Sequence, residues 1–98
     1  VSGVRCVYST SLQVIIPHAQ IHFLIIPKKH FSTILEIKDD DHELIGSIYS
    51  VANELEKQKG LDTTGFRIVV NCGVEAGQSV FHIHYHLLGG RSLKWPPG

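Results

Sequence analysis

The sequence predicts an α+β fold in which one helix packs on an antiparallel sheet. Two apolar stretches of strand length, "IHFLII" and "GFRIVVN", are rich in β-branched and aromatic residues. A third stretch, "SVFHIHYHLLGG", alternates residue by residue. Between the strands, "DDDHELIGSIYSVANELEKQKG" repeats its apolar residues at spacings of three and four.

Each element follows from its local chemistry. The first strand is expected over residues 21–26, where Pro27 stops it. The helix carries Leu44, Ile45, Ile48, Val51, Ala52 and Leu55 on one stripe. Asp39, Asp40 and Asp41 supply an N-cap and favourable charge at its start; Lys57, Lys59 and Gly60 close it. Gly46 inside the stripe lowers helix propensity by about 1 kcal/mol against alanine and suggests close packing. Residues 65–71 form the next strand and residues 80–87 the last, joined through the glycine-bearing loop "CGVEAGQ" and paired antiparallel. The tail "RSLKWPPG" has adjacent prolines and no regular structure.

Composition narrows the function. With 98 residues, 43% of them hydrophobic and 18% charged, the chain reads as one folded domain, residues 1–98. Nine basic and nine acidic side chains cancel, so no basic face for nucleic acid is expected. No apolar run is long enough to span a bilayer, and the start does not read as a signal peptide. Cys6 and Cys72 are expected to be free thiols. A cytoplasmic location is expected, with the nucleus also open.

The chemistry sits in the alternating stretch. On a strand, His82, His84 and His86 share one face, each separated by roughly 6.5 Å, while Ile83, Tyr85 and Leu87 face the core. Such a row reads as an exposed polar face, as part of a metal site that His22 joins from another strand, or as imidazole nucleophile and base chemistry. No Asp, Glu or Cys flanks the row to complete a ligand set. The preceding loop favours the third reading. Asn71, Gly77 and Ser79 bring an amide, a close-approaching backbone and a hydroxyl to the mouth of the row, which suits attack at phosphorus. "PKKH" and "KDDDHE" read as solvated segments, and Cys72 as a space-filling residue.

From Pro17 to Gly98, "HFLIIPKKH", "GFRIVVN", "AGQSVFHIHYHLLGG" and "WPPG" resemble the histidine triad (HIT) superfamily, in its Hint branch of histidine triad nucleotide-binding proteins. The resemblance implies a HIT-like antiparallel sheet with a packed helix, the N-terminal helix and strand pair being shortened or altered here. It implies a homodimer with joined sheets and hydrolysis of purine nucleoside phosphoramidates, such as adenosine 5′-monophosphoramidate and adenylated lysine. It makes His84 the nucleophile, flanked by His82 and His86, with His22 as a fourth histidine. It gives Ser79 a hydrogen bond to the leaving nitrogen, and Asn71 and Gly77 a place at the phosphate. Trp95 belongs to a tail that shapes the partner subunit's site. Leu12 and Ile15 stand at positions that face the base. No cofactor, metal, membrane or nucleic acid is implied.

Residues 1–16 depart from the family pattern. Val14 stands where the family has an acidic residue for the ribose hydroxyls, and valine cannot accept a hydrogen bond. His18 departs from the family and has no assigned role. Two functions are therefore carried forward: a phosphoramidase, and a non-enzymatic nucleotide-binding or protein-interaction module on the same scaffold.

Overall fold

The computed structural model describes residues 4–7, 9, 11–16 and 21–98, with backbone alone for residues 4–7. Pro17 and His18 lie outside the described residues, as does the Cys6 side chain. Five strands form one antiparallel sheet in the order β1-β2-β3-β5-β4. They are β1 (Val4–Val7), β2 (Leu12–Ile16), β3 (His22–Pro27), β4 (Phe66–Val70) and β5 (Tyr85–Gly89). The α+β expectation holds, and the N-terminal strand pair is present as the short hairpin β1–β2.

Helix α1 (His42–Lys59) covers one face of the sheet. Its buried Ile48, Val51, Ala52 and Leu55 meet Leu12, Val14, Phe23, Ile25, Tyr85 and Leu87 in one core. The helix ends at Gly60, whose φ of 74° is left-handed and whose N–H reaches the carbonyls of Glu56 and Lys57. The turn α2 (Leu61–Thr64) follows and lays Leu61 against β5. A Cβ on Gly89 would stand 2.8 Å from the Leu61 side chain, so a larger residue there would have to displace Leu61.

Four local expectations change. Gly46 is exposed with open space around its Cα, so it marks no close packing. The Asp41 side chain makes no cap bond at α1. It is buried, paired with Lys29 and accepting the Lys38 N–H at 3.0 Å, so "KDDDHE" is not wholly solvated. The last strand begins at Tyr85, not at residue 80. Ladder pairing with β3 ends at Ile25–Tyr85, and two residues on, Pro27 has no N–H with which to extend it. "PKKH" is also no simple solvated turn, because the segment from Pro27 to Ser32 grips the strand-less stretch before β5. The Ile83 N–H donates to the Phe31 carbonyl at 2.8 Å. The His82 ring reaches the Pro27 carbonyl at 2.8 Å, and buried Gln78 donates to the Ser32 carbonyl at 2.6 Å.

Candidate active site

The sheet face away from α1 carries the histidines. The register pairs Ile15 with Leu24 and Leu24 with His86, so these side chains lie in one row on that face. A cavity of about 490 Å³ opens beside them, lined by Gln13, Ile15, Leu24, Ile26, Val80, His82 and His84. Although His82 and His84 precede the ladder, burial still alternates: Ile83 and Tyr85 are in the core, while His82, His84 and His86 are half-buried.

Hydrogen bonds to backbone carbonyls place a proton on one ring nitrogen of His84 and of His82. His84 Nδ1 lies 2.8 Å from the His82 carbonyl. A carbonyl only accepts, so Nδ1 carries the proton and Nε2 keeps its lone pair. His82 Nε2 donates to the Pro27 carbonyl by the same logic. Its Nδ1 then accepts, and His30 Nδ1, 3.1 Å away, is the donor. On the other side, His22 Nε2 and His86 Nδ1 stand 3.0 Å apart with one proton between them. Burial, then the nearby His84 and His22, push the His86 pKa down from 6.5 to about 4. His86 is therefore neutral at physiological pH. The rings of His84 and His86 meet edge-on with centroids 5.0 Å apart.

The structure thus brings together His22, His82, His84, His86 and Ile15. Ser79 is exposed in the loop before the row, and Asn71 follows the last residue of β4. The Gly77 N–H donates to the Val74 carbonyl at 3.0 Å, so it is already engaged within the loop. Among the described residues that line the cavity, Asn71, Gly77, Ser79 and Trp95 do not appear. Trp95 is 81% exposed; the adjacent Lys94 carbonyl accepts from Arg67 of β4 at 3.0 Å.

Leu12 does not face the cavity. It is 1% exposed on the core face, as Val14 is at 2%, because residues two apart on a strand share a side. Gln13 takes the cavity position instead. The signal was present in "LQVII": its one polar residue belongs on the face that lacks the helix. His30 and Gln78 were also missed. Gln78 is 5% exposed and accepts the Gly73 N–H at 2.8 Å while donating to Ser32 and Val80. The contacts that tie them to the site, Gln78 to Ser32 and His30 to His82, span 46 and 52 residues, beyond any local pattern. Among the described residues no group of three or more His, Cys, Asp and Glu is arranged to hold a metal ion. No described helix is long and apolar enough to cross a membrane.

A sheet with a helix on one face and a row of hydrogen-bonded imidazoles on the other defines a histidine-triad architecture. The HIT domain model matches residues 6–93, and the chain belongs to the HIT family. The match begins well ahead of Pro17 and takes in the hairpin. The crystal structure of a HIT family hydrolase from Legionella pneumophila superposes with a TM-score of 0.90 and 40% identity, covering 100% of this chain and 90% of that one. A histidine triad nucleotide-binding protein from Candida albicans gives 0.76 and 28%, covering 98% of this chain and 76% of that one. An uncharacterized HIT-like protein of Synechococcus elongatus is 45% identical over 82 residues, which is 84% of this chain and 71% of that protein.

Proposed function

We propose that the protein is a phosphoramidase of the Hint type, cleaving the phosphorus–nitrogen bond of a purine nucleoside 5′-phosphoramidate. The observation that carries the reading is the His84 tautomer. With Nδ1–H held by the His82 carbonyl, Nε2 is a neutral nucleophile at the wall of an apolar cavity. Ile15, Leu24, Ile26 and Val80 offer surface for a purine.

In the first step His84 Nε2 bonds to phosphorus and the P–N bond breaks. Its electron pair leaves on nitrogen, which must take a proton. His86 is suited to supply it. The same burial that keeps it neutral in the empty site is opposed by the charge of a bound phosphate, so it gains a proton as substrate arrives. His22 Nε2 shares the proton of His86 Nδ1 across the 3.0 Å contact. Ser79 is assigned a hydrogen bond to the leaving nitrogen, and Asn71 a place at the phosphate. Water then attacks phosphorus and passes its proton to His86 as the bond to His84 Nε2 breaks, which releases the nucleoside monophosphate and returns both histidines to their starting forms. All steps use groups of the chain itself. The active form is a homodimer in the cytoplasm, with β4, an edge strand, joining the two sheets and Trp95 reaching the partner's cavity.

The test is turnover of adenosine 5′-monophosphoramidate by the purified chain, with rapid alkaline quench, which preserves an acid-labile phosphorus–histidine bond, and mass spectrometry of the peptide carrying residues 82–86. A nucleotidyl adduct on His84 is expected. Turnover without an adduct would remove His84 as the nucleophile, and no turnover with AMP still bound would leave the binding-module reading in its place.

A further inference from the structure

We propose that His30 is a positioning residue for the nucleophile, acting through His82. This rests on the phosphoramidase reading for its kinetic consequence but not for its geometry. The peptide joining His82 to Ile83 is held at both ends. Its carbonyl receives the His84 Nδ1–H at 2.8 Å, and its N–H donates to the Phe31 carbonyl at 2.8 Å. The orientation of this one peptide decides which His84 nitrogen carries the proton.

The His82 ring is the remaining handle on that peptide. The Pro27 carbonyl holds its Nε2–H at 2.8 Å, and His30 Nδ1 holds its other nitrogen at 3.1 Å. A single hydrogen bond leaves an imidazole free to swing about it; two bonds on opposite sides of the ring do not. The second bond works only if His30 donates, because the Nδ1 of neutral His82 is then an acceptor. His30 is itself oriented by Ser32, whose Oγ stands 3.4 Å from Nε2. The two rings meet edge-on at 4.9 Å. His30 is exposed and follows a lysine pair, so neither burial nor pattern marks it out; the geometry alone assigns the role.

The experiment compares His30→Leu, which has no donor, with His30→Asn, whose amide N–H can take the place of Nδ1–H. Two readouts are needed: kcat and KM on adenosine 5′-monophosphoramidate, and ring-nitrogen NMR of ¹⁵N-histidine-labelled protein. In wild type the spectra should show His84 protonated at Nδ1 and His82 at Nε2. His30→Leu should lower kcat about tenfold, the worth of one neutral hydrogen bond, with KM within about twofold. Its His84 signals should move toward a tautomer mixture. His30→Asn should recover most of kcat and the wild-type spectrum. A Leu variant with unchanged kcat and His84 signals overturns the proposal, and so do Leu and Asn variants that fall equally. If wild type turns over no phosphoramidate, the functional reading fails, and the nitrogen spectra alone decide the positioning role. Because His30 is exposed, both variants should melt as wild type does, which separates positioning from unfolding.

Discussion

The cavity has two unlike walls. The histidine wall, residues 78–86, stands largely outside the sheet ladder, yet side chains and carbonyls of residues 27–32 cross-brace it at four points. The hairpin wall, β2, sits within the ladder between β1 and β3 and offers the cavity only Gln13 and Ile15. One wall is specified by individual hydrogen bonds, and the other by strand parity. A wall built from hydrogen bonds fixes proton positions, which chemistry needs. A wall built from parity fixes only which side chains face inward, which is enough for selecting a ligand.

The largest effect should come from the histidine wall. His84→Ala removes the nucleophile and should lower kcat by three or more orders of magnitude, on the order of other removed nucleophiles. Steady-state turnover measures the loss. The fold should survive, because half-buried His84 faces the cavity rather than the core. Residual activity above about one part in a hundred would mean another group attacks phosphorus.

The hairpin wall should break by a different route. Val14 is 2% exposed in the core, paired by register with Cys6 and Ile25, and among the described residues its core cluster carries no cation to pair with a carboxylate. Val14→Asp therefore cannot restore a ribose acceptor. It should instead destabilise the protein by about 3–5 kcal/mol, as for a buried unpaired charge. Chemical denaturation reads this directly. A Val14→Asp variant of normal stability would mean that β2 is shifted by one residue, which turns every side chain over.

The two walls were also unequally legible in the sequence. The alternation of "HIHYH" survives in burial even though the ladder starts only at Tyr85, because the braces hold the extended backbone where strand partners are missing. The family resemblance pointed to the same residues. For β2 it was half right: carried over by position, it aimed Ile15 at the cavity but also Leu12 and Val14, whereas the apolar–polar alternation of "LQV" aims Gln13. Local periodicity was the better guide there, since packing under α1 enforces it. The His30–His82 bond and the Gln78 brace were legible in neither way, as each joins segments far apart in sequence.

Acid should act on the histidine wall alone. His86 is held at about 4, below its ordinary 6.5, so the native state favours its neutral form. Its contribution to stability is complete above pH 6.5 and is lost as pH falls through about 4. The stability of wild type, followed by denaturant titration, should fall across that window, and His86→Asn should flatten this part of the slope. In kinetics a proton donor sets the alkaline limb, and that limb of kcat/KM, which reports the free enzyme, should lie below that of kcat, because bound phosphate raises the His86 pKa. Coincident limbs would remove His86 as the group that gains a proton on binding.

The smallest effect is expected at Gln13, where the hairpin wall meets the ligand. It is the one polar side chain that β2 and β3 give to the cavity lining. Its amide both donates and accepts, so it can bond a ribose hydroxyl where the family pattern has a carboxylate. A neutral hydrogen bond contributes about 0.5–1.5 kcal/mol, less than the 1.5–3 kcal/mol of a charged one. Gln13→Leu should therefore raise KM by no more than about tenfold and leave kcat nearly unchanged, because the bond expected of the amide is to the nucleoside and not to the reacting phosphorus. A 2′,3′-dideoxy substrate separates the possible contacts. If the bond is to ribose, wild type and Gln13→Leu should have the same KM on the dideoxy compound. If the gap persists there, Gln13 reads the base edge, and exchanging adenine for guanine should then move KM in wild type but not in the variant. No change on any substrate would mean that the nucleoside rests on Ile15, Leu24, Ile26 and Val80 alone.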